Sequence, residues 1–189
     1  MIAIMSDAIA RLFDEAPRRA LAQGATLFRT GAPVAAMYMV IEGQVALMRH
    51  GSDGTAMVLH RAMPGQVVAE ASAWSDLYHC DAVVQRPARV AVLARSAFRA
   101  GLAGDATLAT DWARQLAQAV QAARLRAEIR GLRGVSERLD AWLVAGGVLP
   151  ARGHWQDLAA ELGVSREALY RELARRRGGQ AQPSSPQRS

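Results

Sequence analysis

From Asp105 to Arg130 the chain contains neither glycine nor proline and is rich in Ala, Leu, Gln and Arg, all good helix formers. The run predicts a single helix about 39 Å long at 1.5 Å per residue. In a chain of 189 residues, such a helix separates two stretches that have to be read independently. Within it, Ala109, Ala113, Leu116, Val120, Ala123 and Ala127 alternate four and three apart, the spacing of a two-stranded coiled-coil seam. The same spacing would suit an amphipathic helix packed on its own domain. Length favours a dimer seam, because the helix outruns one face of the small domain that precedes it.

Before the helix, glycines at 24, 31, 43, 54 and 65 punctuate extended apolar segments about ten residues apart. That rhythm predicts a small all-β domain. Strands are expected at 37–43 and 44–49 with Glu42-Gly43 as the turn, and at 57–60 after a second turn at Asp53-Gly54. A further pair is expected at Asp81–Gln85 and Arg89–Leu93, separated by Arg86-Pro87. A β-sandwich or β-roll of about eight short strands fits.

After the helix, Gly131 and Gly134 mark a hinge, and Ser136 is placed to cap a helix over Glu137–Ala145 that Gly146-Gly147 ends. Residues 156–173 then repeat an apolar pattern twice around Gly163-Val164-Ser165, which is helix-turn-helix spacing. Leu158, Ala159 and Leu162 face inward from the first helix, Val164 plugs the turn, and Leu169 and Leu173 face inward from the second. Gly163 permits the left-handed turn and Ser165 caps the second helix. The opposite face presents Arg166, Glu167, Tyr170 and Arg171. An arginine can bond guanine O6 and N7 bidentately and a glutamate can accept from the cytosine amino group, so this face suits a G·C-containing half-site. The competing reading is a solvated helix face with Glu167 and Arg171 paired at i, i+4. The segment 178–189 is low in apolar residues and is expected to be disordered.

Charge agrees with a nucleic-acid partner at this end. The formal net charge is +6, of which the 12 arginines and 7 acidic residues of 124–189 supply +5. A basic module of this kind can approach an anionic polymer. The single cysteine, Cys80, excludes an internal disulfide and cysteine-cluster metal chemistry, and it fits a cytoplasmic protein. No apolar run approaches a membrane span, so no membrane partner is expected. The four histidines, at 50, 60, 79 and 154, lack His-x-His and His-x-x-x-His spacing, and no metal site is expected. His79 beside Cys80 reads as a polar strand-edge pair rather than a haem ligand. Without a nucleophile and base pairing or a carboxylate pair, an enzyme is not expected.

The order of β-domain, long helix, hinge and helix-turn-helix resembles the Crp/Fnr superfamily of bacterial transcription regulators. The resemblance covers about residues 20–176. It rests on Gly24-Ala-Thr-Leu-Phe28 with Gly31, Met37-Tyr-Met-Val-Ile-Glu-Gly-Gln-Val45, Asp53-Gly54, Val68-Ala-Glu-Ala-Ser72, and Gly163-Val-Ser-Arg-Glu with Tyr170-Arg171. It implies an α+β fold: an N-terminal double-stranded β-helix (a jelly-roll-like β-roll), a long dimerisation helix, and a C-terminal winged helix-turn-helix. The corresponding division is 1–104, 105–130, 131–177 and a tail, 178–189. The implied partners are double-stranded DNA with a two-fold symmetric site, a second copy of the chain, and RNA polymerase. Arg166, Glu167 and Arg171 align with the family's base contacts, and Gln156 and Ser165 with its phosphate contacts. Ala109, Ala113, Leu116, Val120 and Ala123 would form the dimer helix, and Glu70, Ala71, Ser72, Cys80 and Asp81 would border an effector pocket.

Three departures limit what the resemblance implies. Relatives that bind cyclic nucleotides resemble one another in a Gly-Glu pair followed by Arg-Ser-Ala or Arg-Thr-Ala, where the arginine holds the cyclic phosphate. Here Ala69-Glu70 stands first, and Cys80-Asp81 precedes Ala82. An aspartate would repel phosphate, so no cofactor is assigned, cAMP and cGMP are not expected, and the effector is unnamed. Few residues separate Gly147 from His154, which predicts a reduced wing. His154 stands where relatives carry a Thr or Ser that caps the first helix and bonds phosphate. The expected function is a dimeric, sequence-specific DNA-binding transcription regulator. The alternative is a ligand-binding or protein-interaction module whose truncated helix-turn-helix has lost specific DNA binding.

Overall fold

A computed structural model describes residues 7–50 and 56–179. The expected turn at Asp53-Gly54 and the tail beyond 179 lie outside the described residues. The chain divides into two compact units, 2–120 and 121–189.

Among the described residues the first unit has six strands: β1 (Arg18–Leu21), β2 (Thr26–Phe28), β3 (Ala36–His50), β4 (Ala56–Ala62), β5 (Val67–Val68) and β6 (Asp81–Ala94). They form one antiparallel sheet in the order β1-β6-β3-β4, with β2 on β6 and β5 on β3. Two strands are far longer than the sequence predicts. Glu42-Gly43 is not a hairpin turn and Arg86-Pro87 does not separate two strands, because β3 and β6 run through both points and pair from Ala36↔Ala94 to Met48↔Asp81. The pairing jumps from Glu42↔Arg89 to Gln44↔Arg86, so Gly43 meets Pro87 and Ala88 at a bulge where both strands bend. A Cβ at Gly43 (φ +81°) would stand 2.6 Å from the Ala88 Cα and closer still to the Pro87 carbonyl oxygen. Only glycine fits that approach. Pro87, which has no N–H to donate, is tolerated because it sits in the bulge.

Each long strand carries short partners on both sides of its bend, and the sheet rolls up. Alternate side chains then face opposite ways. Val40, Val45, Val84 and Val90 fill the inside with Phe28 and Tyr78, whereas Met37, Met39 and Ala91 face the outside. That outer face is covered by Ile9 and Phe13 of α1 (Asp7–Arg11) and the turn after it, by Phe98 and Leu102 of α2 (Arg95–Gly104), and by Leu108 and Trp112. Phe98 packs against Phe13 at 5.9 Å and edge-on against Trp112 at 4.9 Å. Each such buried side chain contributes about 1.5–3 kcal/mol.

Leu108 and Trp112 belong to α3 (Ala106–Gly131, 26 residues), the expected long helix. Asp105 caps it, its Oδ1 accepting from the amides of Thr107 at 2.8 Å and Leu108 at 3.1 Å. The boundary between the two compact units falls inside this helix.

In the second unit, the end of α3 from Gln121 onward is followed by α4 (Val135–Val144), α5 (Trp155–Leu162) and α6 (Arg166–Gly179). Ile129, Leu139, Trp155, Leu158, Ala159, Leu162, Leu169 and Leu173 form its core. Ser136 is not the cap of α4. Gly134 holds that position and donates its N–H to Glu137 Oε2 at 3.1 Å, while Ser136 lies inside the helix. Among the described residues no strand follows Ala94, and between α4 and α5 the chain makes only a short 3-10 turn, Arg152–His154. The wing is therefore not built as strands within 131–179.

Candidate nucleic-acid interface and the β-roll pocket

The turn between α5 and α6 takes its shape from Gly163, at φ +66° and ψ 40°. Val164 N–H reaches Ala159 O at 3.0 Å and Gly163 N–H reaches Ala160 O at 3.4 Å, a left-handed C-terminal cap with Val164 packed on the core. Ser165 caps α6 as expected, its Oγ accepting from Ala168 N at 3.2 Å.

Two arginines that the sequence does not single out complete this turn. Arg130 donates from Nε to Glu161 O at 3.1 Å and from Nη2 to Ala160 O at 3.2 Å. Arg138 donates from Nη1 to Gly163 O at 2.8 Å and Leu162 O at 3.2 Å, and from Nε to Leu132 O at 2.8 Å. The last carbonyls of a helix have no partner within it and carry partial negative charge. Here two cations satisfy them and tie α5 to α4 and to the end of α3.

With Leu169 and Leu173 buried, α6 exposes Arg166, Glu167 and Arg171. Glu167's own backbone amide and then the Ser165 hydroxyl hold its carboxyl below the usual range, with Arg166 and Arg171 acting in the same direction. The group is anionic at neutral pH and can accept a hydrogen bond. Gln156, the second residue of α5, is exposed, as is Ser165. Tyr170 is half-buried and meets Trp155 edge-on at 4.9 Å. Farther along α6, Arg175 and then Arg176 hold Glu172 down to about 2, and Arg176 also reaches Asp140 Oδ1 at 2.6 Å and the Ser136 carbonyl at 3.2 Å. These contacts bind α6 to α4 and neutralise part of its positive charge. His154 precedes α5 without capping it through its side chain, and its Nδ1 lies 3.7 Å from Asp157 Oδ2.

In the β-roll, Ala69 adopts φ 53° and ψ 52°, a left-handed conformation that suits the glycine of the resembling motif better than alanine. Glu70, Ala71 and Ser72 follow on a 3-10 helix (Glu70–Trp74), with Ser72 buried. Cys80 is buried, and burial first, then Asp81 and Glu70, push its thiol up against the opposing pull of Arg49. Asp81 Oδ1 accepts from Thr30 N at 2.7 Å, and Oδ2 lies 3.4 Å from His50 Nδ1. The Thr30 amide is the main cause of its lowered pKa. Thr30, Gly31, Arg49, His50, Leu77, Tyr78, His79 and Asp81 line an open cleft of about 540 Å³. Of the five expected pocket residues, Asp81 alone lines that cleft. Inside the roll, Phe28 stacks on Tyr78 at 3.6 Å, and the Tyr78 hydroxyl donates to Ala36 O at 2.7 Å. Burial pushes the Tyr78 phenol up. Among the described residues, no cluster of three His, Cys, Asp or Glu is placed to hold a metal ion, and no helix is long and apolar enough to cross a membrane.

The fold and the exposed helix define a class: a β-roll with a helix-turn-helix unit in the same chain. Residues 18–105 match the family model described as cyclic nucleotide-binding domain. Among solved structures, FixK2 from Bradyrhizobium japonicum matches with a TM-score of 0.73 at 19% identity, over 92% of this chain and 90% of that one. The c-di-GMP-responsive global regulator CLP from Xanthomonas campestris matches at 0.69 and 21% identity, over 95% of each. A CRP-family transcriptional regulator from Thermus thermophilus matches at 0.63 and 21% identity, over 88% of each. No curated protein sequence matches the chain. Residues 18–105 are thus similar to the cyclic nucleotide-binding domain, and the chain shares the fold of these three regulators.

Proposed function

We propose that this protein is a cytoplasmic, sequence-specific DNA-binding transcription regulator, and not an enzyme, acting as a homodimer on a palindromic site with RNA polymerase as its downstream partner. The observation that carries this reading is α6. Its Leu169 and Leu173 are locked in the core, and Arg166, Glu167 and Arg171 are free of burial at its N-terminal half. A helix held in this way can enter a major groove with those three side chains at the base edges. Gln156 and Ser165, both exposed, are the proposed contacts to the backbone phosphates.

The dimer reading rests on α3. Ala113, Val120 and Ala123 are exposed on it, with Val120 48% exposed, as expected of a seam awaiting a second helix. Leu116 differs, being half-buried against the core of its own β-roll. Ala109 is half-buried as well. The seam is therefore proposed to centre on Val120 rather than Leu116. The division into β-roll, dimer helix and DNA-binding unit keeps its proposed roles, and the cleft at Asp81 is the proposed position of effector sensing, with Glu70, Ala71, Ser72 and Cys80 outside its lining.

Fluorescence anisotropy with the DNA upstream of the protein's own coding sequence, across a salt series, tests the reading. Specific binding should exceed binding to unrelated DNA by about 10³-fold or more, and both should weaken as salt rises. Equal affinity for the two DNAs would refute it and favour the alternative, an interaction module without specific DNA binding.

A further inference from the structure

Four side chains of the second unit stand in a row that the helix-turn-helix motif does not require. Trp155, 8% exposed, opens α5 and donates its Nε1–H to Pro150 O at 2.9 Å. Tyr170 meets it edge-on, with ring planes at 71°. The Arg166 guanidinium lies 5.2 Å from the Tyr170 ring centroid, and that of Arg177 lies 4.8 Å from the Trp155 centroid. Both aromatic rings pack on the core of the unit, so their positions are fixed by burial.

Arg166 is held differently from its neighbours on α6. Arg175 and Arg176 spend their N–H donors on Glu172 and Asp140. A guanidinium over an aromatic ring is held through its face, and its N–H donors point outward along its edge, where a bidentate acceptor such as guanine O6/N7 can meet them. The side chain is ordered before DNA arrives without consuming the groups that would read the base.

We propose that Tyr170, seated on Trp155, is a positioning residue that sets the base-pair preference read by Arg166. This rests on the DNA-reading function proposed above. Tyr170 touches no base in this assignment and acts by narrowing the conformations of Arg166. Its phenol hydroxyl has no part in the effect, which belongs to the ring.

The experiment uses the full chain and a site selected from random DNA with the parent protein. Affinities are measured for that site and for a panel with each half-site base pair exchanged in turn. The proteins are the parent, Tyr170→Phe, Tyr170→Leu, Arg166→Ala and Arg166→Ala combined with Tyr170→Leu. Tyr170→Leu should lose roughly five- to tenfold in discrimination at the one base pair where Arg166→Ala also loses it, as expected for a half-buried cation–π contact. Discrimination elsewhere and affinity for unrelated DNA should not change. Tyr170→Phe should retain the parent's preference, and Tyr170→Leu should add nothing in the Arg166→Ala background. If Tyr170→Leu does not fold, as judged by its melting curve, Tyr170→Met is read in its place. Undiminished discrimination in a folded variant, a uniform loss at every position, or an additive loss in the double variant would overturn the role of Tyr170 alone. A parent that selects no site overturns the DNA-reading function, and this role with it.

Discussion

Arg138→Ala tests whether the turn of the helix-turn-helix is held from outside the motif. In the parent, Arg138 donates to the carbonyls of Leu132, Leu162 and Gly163 at 2.8, 3.2 and 2.8 Å. A hydrogen bond from a charged donor contributes about 1.5–3 kcal/mol when well shielded. Two of these three bonds are part-buried, and the third, to Gly163, is exposed, so water can replace it at little cost. The carbonyls of Glu161 and Ala160 keep Arg130, which limits the damage to the turn. A loss of about 2–3 kcal/mol in the second unit is expected. Hydrogen exchange followed by mass spectrometry reads this locally. Under conditions where opening is at equilibrium, amides of 158–169 should exchange roughly 30- to 150-fold faster, because each 1.4 kcal/mol is a factor of ten. Amides of β3 and β6 should be unaffected. Lysine at 138 should recover only part of the loss, since one ammonium cannot match a guanidinium fork between Leu132 O and the end of α5. Exchange in 158–169 within twofold of the parent would refute the idea that Arg138 secures the turn.

Four further outcomes are expected. Arg171→Ala should cost about 1–3 kcal/mol on the selected DNA and relax preference at one base pair per half-site, measured by anisotropy. Val120→Glu should sediment as a monomer with its melting temperature little changed, because Val120 touches solvent in one chain, whereas Leu116→Glu should lower the melting temperature itself by placing a charge against the β-roll core. Calorimetry should show cAMP and cGMP binding no tighter than about 1 mM, since this chain has Cys80-Asp81-Ala82 in place of the arginine-containing triplet of the motif it resembles. Acid should loosen α6 from α4: Arg176, which holds the Asp140 carboxyl of α4 below its usual range, is itself gripped within α6 by Glu172, whose folded pKa is lowered to about 2 from 4.5. The Glu172 stabilisation is therefore complete above about pH 5 and is lost as pH falls from 4.5 toward 2. Flat stability of 155–179 across that interval would contradict the ion-pair assignment.

What the sequence reveals depends on how local each determinant is. The helix-turn-helix is legible because Gly163, Ser165 and the apolar spacing act within a few residues of one another. The long helix is legible for the same reason: Asp105 caps it and no breaker follows until Gly131. The β-roll is illegible at its bends because a glycine that permits a hairpin and a glycine that lets another strand approach look identical in one dimension. Gly43 is recognised only once Pro87 and Ala88 are seen beside it. At Ser136 the favourable cap residue loses to Gly134, since Glu137 can satisfy the Gly134 amide while Ser136 is drawn to Arg176 of a distant helix at 3.0 Å. Arg130 and Arg138 act across 31 and 24 residues of chain, and no local pattern announces them. Leu116 fits the seam spacing, yet spacing cannot say which of two partners a helix face meets.

The shared bend of β3 and β6 also governs which insertions and deletions the β-roll can survive. Deleting Gly43 alone would advance every residue from Gln44 to His50 by one position, and a shift of one turns a strand over. Ala46 and Met48 would then take the places of Val45 and Leu47, turning those two to the opposite face, and Gln44 would bring a Cβ to the place of Gly43, against the Ala88 backbone. Deleting one residue at Pro87–Ala88 would have the mirror effect on the strand that faces it. A change of length on one strand is tolerated only if the other changes with it, as the two halves of a mitred corner must be recut together. Homologous chains that keep the roll but bend it elsewhere should therefore differ in length on both strands at once.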